Sequence, residues 1–68
     1  MGLFRFAMIG TSQQPVMEVD GVHTAVELNE MIRRERFVVG RLVPEYCEGV
    51  NCGALLATSR IQMVTEVD

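Results

Sequence analysis

A chain of 68 residues with 49% apolar side chains and a net charge of −3 has room for one domain, residues 1–68, and a small core. No apolar run approaches the ~20 residues that span a bilayer. The run Leu3 to Ile9 lacks a signal peptide's basic leader and cleavage site, and Phe6 stands where myristoylation wants Ser or Thr, so a cytoplasmic protein with no membrane contact is expected.

Residues 3–9 place Phe4, Phe6 and Met8 against Leu3, Arg5, Ala7 and Ile9, the alternation of a strand with one buried face. The connector Gly10 to Pro15 is rich in turn residues. Val16 to Asp20 then reads as a second strand, closing a hairpin whose loop should hold roughly five residues. Asp20-Gly21 is a turn pair.

The segment Val22 to Arg36 carries the clearest local signal. Thr24 stands where an N-cap belongs and Glu27 follows three residues later, the spacing of a capping box. Ala25, Leu28, Met31 and Ile32 fall on one face of the predicted helix, about Thr24 to Arg34. Its acids lie toward the start and its arginines toward the end, as the helix dipole prefers.

Phe37 to Val43 is β-branched and apolar on both faces, which predicts a central strand. Gly40 within it marks a bulge or a close backbone approach, and Pro44 ends it. A loop over 44–53 leads to the apolar run Ala54 to Ala57. Thr58-Ser59-Arg60 makes a tight corner, and residues 61–67 alternate as a last strand.

This order, strand-strand-helix-strand-strand, predicts a small α+β domain with one helix packed on a four- or five-stranded sheet. In element order alone it resembles the β-grasp arrangement of ubiquitin-like domains. The alternative is a small SH3-like or Sm-like barrel with an inserted helix. A broad apolar sheet to receive the amphipathic helix favours the first. Glu66-Val67-Asp68 is not the Gly-Gly tail that conjugation requires.

Chemistry-bearing residues are sparse. Cys47 and Cys52 form a C-x4-C pair with no second pair beside it, and two ordinary thiols are expected over a disulfide or a metal site. His23 stands alone at the helix entrance. The glycines are scattered and make no phosphate-binding loop. No catalytic, cofactor-binding or metal residues are therefore assigned, and an enzyme is not expected. The five methionines are assigned to packing, with Met8, Met17, Met31 and Met63 at core-facing spacing.

Arg33, Arg34, Arg36 and Arg41 form the one basic cluster, opposed locally only by Glu35. Guanidinium groups grip phosphate and carboxylate, so these four are the candidate surface for an anion or an acidic partner. The leading expectation is a non-enzymatic domain that binds another protein or a second copy of itself. The rival is a small nucleic-acid-binding module using the arginine cluster.

Overall fold

In the computed structural model, which describes residues 2–46 and 52–67, one helix packs on a five-stranded sheet. The strands are β1 (Gly2–Met8), β2 (Val16–Val19), β3 (Phe37–Leu42), β4 (Cys52–Ala57) and β5 (Ile61–Val67), and the helix α1 is Ala25–Arg34. Every neighbouring pair is antiparallel, in the order β4-β3-β2-β1-β5. The fold is α+β, and β4 and β5 are the two edges of an open sheet.

That order makes the sheet curl. Four spacings of about 4.8 Å would set the edges of a flat sheet roughly 19 Å apart. Yet β4 and β5 are joined by a single 3-10 turn, Thr58–Arg60. Three residues of 3-10 backbone rise about 2 Å each, so the two edges must meet at this corner. The turn is tied on both sides. The Thr58 N–H donates to the Arg36 carbonyl oxygen at 2.9 Å, and the Ile9 N–H donates to the Arg60 carbonyl oxygen at 2.7 Å. The Thr58 hydroxyl lies 2.9 Å from the Glu35 carbonyl oxygen and 3.0 Å from that of Arg36, and so also serves the helix exit.

The concave side holds the core: Phe4, Phe6, Met17, Val19, Val22, Leu28 and Val38, with Met31, Ile32, Leu56 and Val64 packed against it. Phe4 and Phe6 follow the two-residue period of β1, and Leu28 is the fully buried centre of the helix stripe. At the helix entrance the Ala25 N–H donates to Glu66 Oε2 at 3.0 Å. At its exit sits Thr58. The helix therefore lies along β5, held at both ends by residues far away in sequence.

Several expectations change in detail. The connector between β1 and β2 runs over residues 9–15, longer than five, because pairing with β2 stops at Arg5–Val16 and the Phe6 N–H bond to the Pro15 carbonyl oxygen, while β1 runs on to Met8 beside β5. Strand β3 has neighbours on both sides, but its outward face is open: Val39 is 64% exposed, since the single helix covers only the concave side. Met63 is 57% exposed, not core-facing. A bulge at Ala7/Met8 skips Gln62, so Ile61 and Val64 turn inward and Met63 turns out. Gly40 is a close approach: a Cβ there would collide with the Glu18 carbonyl oxygen.

Two stability measurements test this packing. Leu28→Ala should cost about 2–5 kcal/mol in chemical denaturation, whereas Arg34→Ala should leave the midpoint nearly unchanged. Thr58→Val, which keeps the shape and removes the hydroxyl, should cost on the order of 1 kcal/mol. A silent Thr58→Val would mean that the corner is held by the backbone alone.

Candidate functional site

The helix start is the best-defined polar structure in the molecule. The Glu27 N–H donates to Thr24 Oγ1 at 3.2 Å, and the Thr24 and His23 N–H groups donate to Glu27 Oε1 at 3.1 and 3.0 Å. These are the reciprocal bonds of a capping box with one donor added. The His23 N–H above all holds the Glu27 carboxyl below the usual carboxylate range, against the opposing desolvation, with the Thr24 N–H adding a lesser pull. This site organises the helix, and His23 joins it through its backbone N–H and the charge it sets beside Glu27.

The four arginines are not brought together. Arg33 and Arg34 are in the last turn of α1, where Arg34 Nε donates to the Glu30 carbonyl oxygen at 3.2 Å. Arg36 follows, just before β3. Arg41 lies five residues along that strand, roughly 17 Å away at strand rise. There its Nη2 contacts Glu18 Oε1 at 2.8 Å and Asp20 Oδ1 at 3.6 Å. The pairing register sets Glu18 opposite Arg41 and so decides this partner. The Glu18 hydrogen bond, with Asp20 nearby, strengthens the hold of Arg41 on its proton.

In place of Arg41, the fold brings Arg60 to the helix exit, because its turn hangs from the Arg36 and Glu35 carbonyls. Nothing in the sequence joins position 60 to positions 33–36. Among the described residues, Arg33, Arg36 and Arg60 have no carboxylate within ion-pair distance.

Cys52 is disulfide-bonded, not a free thiol, which corrects the expectation of two ordinary thiols. Cys47 lies outside the described residues. A lasting disulfide belongs with oxidising surroundings, so thiol chemistry lends no support to a cytoplasmic location. Among the described residues no three of His, Cys, Asp or Glu gather to hold a metal, and no helix is long and apolar enough to cross a membrane.

The outward face of β3 and β4 is the other unusual surface. Val39 stands opposite Leu55 and Phe37 opposite Ala57, and Phe37, Val39 and Leu55 are all about half exposed or more. Cross-strand partners lie about 5 Å apart, so these side chains form one apolar strip. It borders β4, whose sequence Cys-Gly-Ala-Leu-Leu-Ala carries no charge.

A pH titration tests the capping box. The lowered folded-state value of Glu27 means that its contribution is full above the ordinary carboxylate range and is lost as pH falls through that lowered value. Glu27→Gln should therefore flatten the acid limb of the stability profile, and Thr24→Ala should cost about 1 kcal/mol at neutral pH. Compared with family models, curated proteins and solved structures, the chain matches none.

Proposed function

We propose that the chain is a non-enzymatic interaction domain that associates with a second copy of itself through the β4 edge. The observation that carries this reading is the uncharged edge strand beside the strip Phe37, Val39 and Leu55. Edge strands of monomeric proteins are usually blunted by charge, proline or a covering element, because their open N–H and C=O groups invite another strand. Strand β4 carries no charge and no proline.

A second copy suits this edge better than an arbitrary partner. The molecule is acidic as a whole, so most surfaces of two copies repel each other. At β4 no charge opposes its own image. Antiparallel pairing about a two-fold axis would join two five-stranded sheets and continue the apolar strip across the seam. For the finer fold, the order β4-β3-β2-β1-β5 with edges meeting at a 3-10 turn favours the opened small-barrel alternative over the β-grasp arrangement. The rival reading as a nucleic-acid module keeps Arg33, Arg34 and Arg36 but is weakened by the engagement of Arg41 with Glu18 and Asp20.

Sedimentation across a dilution series tests the proposal. The expected result is a shift from 7.6 kDa toward twice that mass as concentration rises, insensitive to salt. Leu55→Lys should hold the protein monomeric with little change in melting temperature, because Leu55 is 61% exposed. A wild-type chain that stays monomeric into the millimolar range would refute self-association. A mass gain that appears only with an added oligonucleotide and vanishes in salt would favour the arginines.

A further inference from the structure

The opposite edge carries a second surface with a different geometry. Ala25, Leu28, Asn29 and Ile32 of α1 face Ile61, Gln62, Met63 and Val64 of β5 across a groove of about 290 Å³. The helix residues follow the i, i+3, i+4, i+7 spacing of a single stripe. Four consecutive strand residues cannot share one face, because side chains alternate. They line the groove together because it runs along the open edge of β5, which has β1 on one side and no strand on the other. Gln62, skipped by the bulge, has no partner on β1 either.

A groove with half-buried Ala25 and Ile32 and exposed Asn29 on its helix wall, and an unpaired strand edge on the other, fits one extended chain. Main-chain hydrogen bonds to the edge would supply affinity, and alternate side chains would meet Ala25, Ile32, Ile61 and Val64, with Asn29 and Gln62 as polar neighbours. We propose that it takes an extended peptide segment of another protein, added antiparallel to β5, with apolar residues at alternate positions and an acidic C-terminal end.

Charge sets the direction. At one end of the groove Arg33 follows Ile32 and Arg60 precedes Ile61, with Arg34 and Arg36 nearby; Glu30 and Glu35 offset only part of this charge. At the other end lie Glu27 and Glu66, the latter bonded to the Ala25 N–H. Strand β5 runs from the basic end to the acidic end. A peptide antiparallel to it brings its C-terminal carboxylates to the arginines and its N-terminal amine toward Glu66. Reversed, the same peptide would set like charges together.

This surface is separate from the β4 edge, so either reading can fail alone. The test is selection from a random-peptide library displayed on phage, using the full chain carrying Leu55→Lys so that β4 self-pairing does not interfere. Enriched peptides should alternate apolar residues and end in Asp or Glu. Their binding should move the amide resonances of Ile61 to Val64 and Ile32, leaving β4 unmoved. The double variant Arg33→Glu/Arg60→Glu, with both positions exposed, should still fold cooperatively, with a melting temperature lowered by at most a few degrees through the helix dipole. It should bind the acid-ended peptide about fivefold or more weakly and enrich base-ended peptides instead. The proposal is overturned by a failure to enrich any peptide, by enrichment without alternation, by resonance changes centred on β4, or by affinity indifferent to the charge swap. A dimer of the Leu55→Lys chain that perturbs the β5 amides would assign the groove to a second copy and overturn it equally.

Discussion

The 3-10 turn Thr58–Arg60 is the constraint on which the molecule depends. It connects strands at opposite edges of a five-stranded sheet, and so short a link is possible only if the sheet curls enough to bring those edges together at that one corner. The curl creates a concave side, and a single ten-residue helix suffices to close it. Thr58 takes part in both tasks, since its N–H holds the turn to the start of β3 and its hydroxyl meets the carbonyls that end the helix.

The same economy explains why so much apolar surface remains outside. One helix covers one face. The inward residues Phe4, Phe6, Met17, Leu28 and Val38 are removed from water, while Val39 and Leu55 on the convex side and Met63 at the β5 edge are not. The apolar share of the sequence exceeds what the small core absorbs; Phe37, Val39, Leu55 and Met63 lie at or beside the two strand edges, while Val26 on the helix and Ile9 after β1 are exposed elsewhere. The strip beside β4 is the surface that the proposed self-association would cover. The two edges nevertheless differ. Strand β4 is uncharged and open, whereas β5 borders a groove with a helix wall and opposite charges at its ends.

Much of the fold was legible because local chemistry set it. Thr24 and Glu27 announced the helix start, Asp20-Gly21 and Thr58-Ser59-Arg60 announced turns, and Gly40 announced a close approach, each through a requirement of the backbone at that position. What was not legible depended on register and long-range pairing. The bulge opposite Met8 reverses the facing of Met63, and no period in residues 61–67 reveals a skipped Gln62. Likewise Arg41 is claimed by Glu18 through a strand pairing, and Arg60 reaches the helix exit through a turn 22 residues from Arg36. The cluster proposed from adjacency along the chain was therefore only partly a cluster in space.

Amide hydrogen exchange, read residue by residue at low protein concentration, tests the central claim of a curled but open sheet most directly. Slow exchange is expected in β1 and at the paired residues of β2 and β3, with alternate fast and slow amides along β4 and β5 where one side has no strand. Uniformly slow exchange along both β4 and β5 in the dilute monomer would mean that the two edges pair with each other. The sheet would then be a closed barrel with no edge to offer a partner, contrary to the account.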